Sequence, residues 1–405
     1  MPQERLLALF HQDEDKWKKQ YDALYNSPLS RHIDVPIQQF SSKRAFPAFF
    51  YYTEPLASVL ADMTAEIRNL LDITKAIPPI AVSQVPRACL VEEIQSSNDI
   101  EGVRSTRKEI HTAIDEQANA SGATKIRLWS IVKKYKKLEG KEKISLRSSK
   151  ELRQFYDSFI LGEVVRDNPR NRPDGEIFRK ASVDVWSKTK IIHRGVYPEE
   201  KIIAYMYKAL DLLNDETVPG LVRVAAFHYL FGYIHPFYDG NGRTSRFISS
   251  YYLAKMLHPL AAIRLSITIK KSLRTYYRLF EETNAYGNCG DLTPFISGFL
   301  SLILKSVSRV NSILQSKHKK MLALEERLRA YPFGDKADYP IYFILLQAAL
   351  FSEDGATLEE IASTLQKSSR TIDNRIKKYP AEHLVINKSD RAYRYKLRLD
   401  FLRES

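Results

Sequence analysis

Cysteine is almost missing from this 405-residue chain, which holds only Cys89 and Cys289. Two residues so far apart make neither a zinc spacing nor a disulfide framework, so both read as ordinary buried thiols in a reducing, cytoplasmic setting. Long apolar runs are missing as well. No stretch reaches the roughly 18–20 apolar residues of a membrane helix, and MPQERLLALFHQDEDKWKKQ lacks the basic-then-apolar layout of a signal peptide. No membrane contact is expected. The 18 prolines and 15 glycines gather in no biased tract, which excludes a long disordered segment. No internal repeat suggests a solenoid. Two common nucleotide signatures, GxxxxGK[ST] and GxGxxG, are also absent, so any phosphate chemistry here uses another architecture.

What is present is a basic, helix-rich chain. The formal charge of +14 favours contact with nucleotide, nucleic acid or acidic protein surfaces. From Lys125 to Arg153 a dense basic set includes Lys133, Lys134, Lys136 and Lys137. Leu128, Ile131, Val132, Tyr135 and Leu138 recur there at helical spacing, which reads as a solvated helix face. Helical periods such as Leu56/Leu60/Met63/Ile67 and Ile202/Met206/Leu210/Leu213 predict a mainly α fold. A β-hairpin is expected only at 178–197, where Val183 and Val185 alternate with polar residues, and at 383–398. Pro198 opens a helix carrying Glu199 and Glu200 in its first turn. Another helix follows Pro219-Gly220 and runs to about Ile234. Residues 1–84, with FPAFFYY at 46–52, read as long helical stretches packing on the core.

That second helix delivers the chain into HPFYDGNGRTSR at 235–246, which combines a base, a carboxylate, a glycine-rich turn and two arginines. Gly240 and Gly242 flank Asn241 just before the apolar periodicity of TSRFISSYYLAKM, so the turn sits at a helix N-terminus whose N–H groups are free for an anion. Arg243 and Arg246, three apart, fall on one face and suit successive phosphates. Asp239 is an oxygen donor fit for Mg²⁺, which takes one or two carboxylates plus phosphates and waters. His235, with an ordinary pKa of about 6.5, can accept a proton from an attacking hydroxyl. Pro236 ends the helix at the histidine, and Phe237 anchors the loop in the core.

HPFYDGNGRTSR resembles the Fic family motif HPFx(D/E)GNGRxxR at every specified position. The resemblance implies a helical-bundle core that transfers AMP from ATP to a Ser, Thr or Tyr hydroxyl of a target protein, or of the enzyme itself, releasing pyrophosphate. It implies His235 as general base, Asp239 as the Mg²⁺ ligand, Gly240, Asn241 and Gly242 as phosphate cradle, and Arg243 and Arg246 as partners of the triphosphate. Upstream, His228 and Phe231 fit the helix leading into the loop, and GDLTPF at 290–295 resembles the segment after the adenosine pocket. Tyr276, Tyr277 and Asn284 fall where members contact adenosine. The hairpin at 178–197 matches the family's flap, with Val183 and Val185 on the edge that pairs with a target segment. Ser97-Asn98-Asp99-Ile100-Glu101-Gly102 is similar to the family's inhibitory sequence (S/T)xxxE(G/N). It implies that Glu101 pairs with Arg246 in place of the γ-phosphate.

At the C-terminal end, TLEEIASTLQKSSRTIDNRIKKY at 357–379 has helix-turn-helix spacing, and HLVINKSDRAYRYKL alternates about a Lys-Ser-Asp-Arg turn. This resembles a winged helix-turn-helix domain. Arg370, Thr371, Asn374, Arg375, Lys377 and Lys378 form a set that could face DNA. The expected organisation is a helical region at 1–84, a Fic domain at 85–305 with an inhibitory helix near 91–102 and a flap near 178–197, a helical linker at 306–335, and a winged-helix domain at 336–405. A homodimer is compatible with this layout. Alternative readings are an enzyme that removes AMP or does both, an enzyme that moves phosphate or another nucleotide, and a nucleotide-sensing DNA-binding regulator. The intact His235 argues against pure sensing, because binding phosphate needs no base.

Overall fold

The computed structural model describes residues 5–116, 126–136, 138, 143–187, 190–388 and 393–402. Lys125 and Lys137 of the basic set, Lys188-Thr189 of the flap, and Ser389-Asp390-Arg391 of the C-terminal turn lie outside them. The chain divides into two units, residues 1–65 with 91–306, and residues 66–90 with 307–405.

The first unit opens with α1 (Leu6–Gln12), α2 (Glu14–Tyr25) and the hairpin β1 (Ser30–Gln38) and β2 (Ala45–Tyr51). The hairpin is a difference from the helical reading of 1–84. Its strands pair antiparallel from Ser30↔Tyr51 to Gln38↔Ala45 with an irregularity between Ile33 and Pro36. The aromatic run of β2 has the strand preference that the helical reading passed over. Phe49 forms an isolated bridge to Asp291, and the Trp17 indole N–H donates to the Gly287 carbonyl at 2.8 Å. Helices α3 (Glu54–Ala76) and α4 (Pro79–Ile100) each run from one unit into the other. Then come α5 (Arg107–Glu116), α6 (Trp129–Lys136), α7 (Ser149–Tyr156), a π-helical turn at Asp157–Leu161 and α8 (Gly162–Asp167). On α6, Ile131, Val132 and Tyr135 are buried, while Lys133 lies over the Trp129 ring.

The flap forms as β3 (Asp184–Ser187) and β4 (Lys190–Arg194), shorter than the expected span. Val185 pairs with His193, whereas Val183 precedes the strand and accepts a hydrogen bond from Gly195 N–H. Next are α9 (Glu199–Asn214), α10 (Gly220–Ile234), α11 (Asn241–Met256), α12 (Pro259–Ala262), α13 (Leu265–Lys271), α14 (Leu273–Asn284) and α15 (Thr293–Ala330). Helix α10 is apolar on all sides because it is the central helix: Val224, Ala225, Phe227, Leu230, Phe231 and Ile234 are at most 1% exposed.

The second unit contains α16 (Tyr339–Phe351), β5 (Ala356–Thr357), α17 (Leu358–Leu365), α18 (Ser369–Ile376), β6 (Leu384–Asn387) and β7 (Arg394–Leu397). Its sheet has the order β5-β7-β6. Thr357 and Glu360 form a capping box at α17, and Ser368 caps α18. Arg375 is engaged by Asp335 and Asp338, each at 2.9 Å, and Lys377 by Asp373. Two of the six side chains read as a DNA-facing set are therefore tied down within the unit.

Candidate functional site

The end of α10 sets the position of His235. Its N–H still bonds to the Phe231 carbonyl, but its backbone is left-handed, φ 53° and ψ 61°. Pro236 excludes a helical continuation and a turn results. The His235 Nδ1 lies 3.3 Å from the Gly232 carbonyl, so Nδ1 carries the proton and Nε2 keeps its lone pair. Burial, with help from His193 and Arg179, pulls the imidazole down to about 3. At neutral pH the ring is uncharged and able to accept a proton.

The loop that follows is tied to itself and to the core. Phe237 is fully buried and stacks on Tyr156 at 3.6 Å between centroids. The Asn241 side chain pairs with the Phe237 backbone twice, accepting its N–H at 3.0 Å and donating to its carbonyl at 2.8 Å. This amide is committed to shaping the loop. Gly240 (φ 78°) is the N-cap of α11, and Thr244 N–H to Gly240 C=O, 2.9 Å, is the first turn's closing bond. The N–H groups of Asn241, Gly242 and Arg243 are thus the open first turn of a 16-residue helix, a site suited to phosphate oxygens. Asp239 Oδ1 accepts from Gly240 N–H and lies 3.3 Å from Arg243 Nη2. The Arg243 Nε is buried with no hydrogen-bond partner among the described residues, a donor suited to an added anion.

Arg246 is 1% exposed, and each of its three nitrogens has a partner. Its Nε donates to Ser97 Oγ (3.2 Å), Nη1 to Glu101 Oε1 (2.8 Å) and Nη2 to the Ser97 carbonyl (2.9 Å). Burial disfavours its charge, yet Glu101, with smaller help from Tyr276 and Tyr135, more than offsets this and the pKa is raised. Glu101 does not lie on the helix as expected but just past the end of α4, where Gly102 turns the chain at φ 70°. Its carboxylate sits against the glycine turn: a Cβ on Gly242 would fall 2.0 Å from Glu101 Oε1. Ser97 and Glu101 therefore both serve Arg246. One turn before Ser97, fully buried Glu93 accepts N–H groups of Ser266 and Ile267 and holds α4 onto α13.

The residues assigned to adenosine separate. Tyr277 is 39% exposed, whereas Tyr276 is buried with its hydroxyl 2.8 Å from His228 Nε2. Asn284 is also buried and accepts from the Tyr229 hydroxyl at 2.7 Å. His228 Nδ1 is 2.8 Å from Ser249 Oγ, whose own proton goes to the Ser245 carbonyl. The network therefore places a proton on Nδ1 and makes Tyr276 the donor to Nε2. Sequence reasoning missed Arg179, His193 and Tyr238, and saw in Glu199 only its place in a first helical turn. Tyr238, the unspecified position of the motif, accepts from Ala181 N–H and donates to Asp174, fixing the flap's root. Glu199 accepts N–H groups of Glu176, Ile177 and Phe178, besides complementing the dipole of α9.

Residues 148–253 match the family model described as the Fic/DOC family. A stretch of 100 residues, 24% of this chain, is 30% identical to the protein adenylyltransferase fic-1 of Caenorhabditis elegans and covers 18% of that protein. Over 94 residues, 22% of the chain, identity to the protein adenylyltransferase Fic of Drosophila willistoni is 37%, covering 17% of that relative. The chain thus spans less than a fifth of the length of these two curated relatives. A solved Fic family protein from Desulfovibrio desulfuricans G20 shares the fold, with a TM-score of 0.52 at 20% identity over 86% of this chain and 97% of that one. The matched segment contains the whole loop from His235 to Arg246, and residues 148–253 form a Fic/DOC family domain.

Proposed function

We propose that this protein transfers AMP from ATP to a Ser, Thr or Tyr hydroxyl of a target protein, and that its resting state is held back by Glu101. The observation that carries the reading is a neutral His235 placed seven residues before Gly242, beside an open helix N-terminus and Arg243. ATP phosphates would lie on the N–H groups of residues 241–243, with Arg243 adding a charged donor. The hydroxyl oxygen of the target attacks the α-phosphorus while its proton passes to His235 Nε2. The bond from the α-phosphorus to the bridging oxygen breaks, and pyrophosphate leaves. Asp239 offers the single carboxylate that Mg²⁺ needs beside phosphate oxygens, and such an ion supplies neutralisation of the phosphate charge when bound.

Restraint follows from charge competition. Arg246 spends N–H groups of all three nitrogens on Ser97 and Glu101, so a phosphate oxygen arriving where Glu101 sits competes with its carboxylate. The test is to incubate the purified chain with α-labelled or γ-labelled ATP and Mg²⁺. AMP transfer gives label on protein from the α position only. Glu101→Gly should raise that label and His235→Ala should remove it. Label from the γ position would assign phosphate transfer instead, and equal labelling of Glu101→Gly and the native chain would overturn the restraint.

A further inference from the structure

We propose that Arg179, on the segment leading into the flap, is the positioning residue for His235, clamping the carbonyl of the base so that its imidazole is held in register with the phosphate turn. The inference rests on the reading of His235 as the base.

A non-glycine residue at φ 53° carries about 1–2 kcal/mol of backbone cost, so surrounding bonds must impose the conformation. Those bonds come from one side. The last carbonyls of α10 cannot be satisfied within the helix. The Tyr233 carbonyl is met by His193 Nε2 at 2.6 Å, that of Ile234 by Val196 N–H at 3.0 Å, and that of His235 by Arg179 Nε at 3.0 Å. All three donors belong to the flap or its root. Arg179 also donates to the carbonyls of Ala181 (2.6 Å) and Val196 (2.9 Å), so one guanidinium ties both ends of the flap to the base.

Arg179 is an expensive choice for a merely structural clamp. It is fully buried, and among the described residues no carboxylate pairs with it. Burial lowers its pKa to about 10, which still leaves it charged at neutrality. A buried cation without a counter-ion is costly, whereas a cation beside an imidazole keeps that ring neutral. The charged and titratable groups acting on the ring are His193 of β4 and Arg179, while the end of α10 contributes the Gly232 carbonyl. Close approach is built in at Gly195: a Cβ there would lie 2.5 Å from Arg179 Nη2 and 3.0 Å from His235 Cβ. The root carrying Arg179 is itself fixed by Glu199 and Tyr238.

The test compares R179M and R179K in the full-length E101G chain, measuring AMP incorporation across ATP concentrations and the ¹⁵N titration of the His235 ring. R179M should lower kcat by about 10–100-fold while KM for ATP changes less than about twofold, and should raise the His235 pKa. R179K should keep the ring's titration near that of the parent and recover part of kcat. An unchanged ring titration in folded R179M, or a loss confined to KM, overturns the inference. If the E101G parent takes up no label, the adenylyltransferase reading fails, and the ring titration alone decides the role of Arg179. Should R179M not fold, G195A displaces the guanidinium from the other side, and the same pair of shifts is expected.

Discussion

Arg246 and Glu101 lie 145 positions apart in the chain, and in the function proposed above their pairing puts a carboxylate where a phosphate would bind. The Glu101 side chain is 28% exposed, so solvent screens part of the interaction. Glu101→Gly is expected to cost about 1–2 kcal/mol of stability without nucleotide, read from urea unfolding. Added ATP should return more stability to the variant than to the native chain, because the vacated arginine binds phosphate. Histidines set the response to acid. Burial holds His228 and His235 down to about 3, and His193 is also lowered. Between those values and the ordinary 6.5, these three histidines bind more protons in the unfolded chain than in the folded one, so the stability they contribute falls as pH drops below about 6.5, while the buried carboxyls of Asp291 and Glu93, both raised, act in the opposite sense. Melting temperatures measured from pH 7 to pH 4 should show this, and His228→Gln should flatten the slope. The acid limb of the AMP-transfer rate should likewise lie below pH 6.5.

At the level of elements, the loop between α10 and α11 is a preformed turn whose shape depends on Asn241. Asn241→Ala removes two bonds to Phe237 and leaves a buried N–H unmet, for a loss of about 1–3 kcal/mol in chemical unfolding and a fall in AMP transfer. This loop was legible in the sequence because its residues sit together and each type has a narrow use. The helices flanking it were equally plain from Pro219-Gly220 and the apolar run that follows. Arg179 was not legible, because its partners are the backbone carbonyls of Ala181, Val196 and His235, which any residue supplies. The left-handed His235 left no mark for the same reason. β1 and β2 were missed because FPAFFYY reads as apolar packing until its partner strand is known. Tyr276 and Tyr277 are adjacent in sequence, yet only the fold separates a core phenol from a surface one.

For the whole molecule, the two units are interleaved along the chain rather than consecutive. Residues 66–90 group with 307–405, and Asn311 donates to the Glu66 carbonyl at 2.8 Å. The expected break near residue 305 is therefore not a place to cut. A chain ending at Ser306 deprives Leu70 and Ile73 of the unit that buries them. It should aggregate or bind a hydrophobic dye where the full chain does not, as size-exclusion chromatography would report. The same interleaving makes the native chain the proper substrate for functional assays. The most direct test of the account is intact-mass spectrometry of the full chain and of Glu101→Gly after incubation with ATP and Mg²⁺. Added AMP, scarce on the native chain, abundant on the variant and absent when His235→Ala is combined with it, is the result predicted here. An unmodified variant, or AMP that persists without His235, would contradict it.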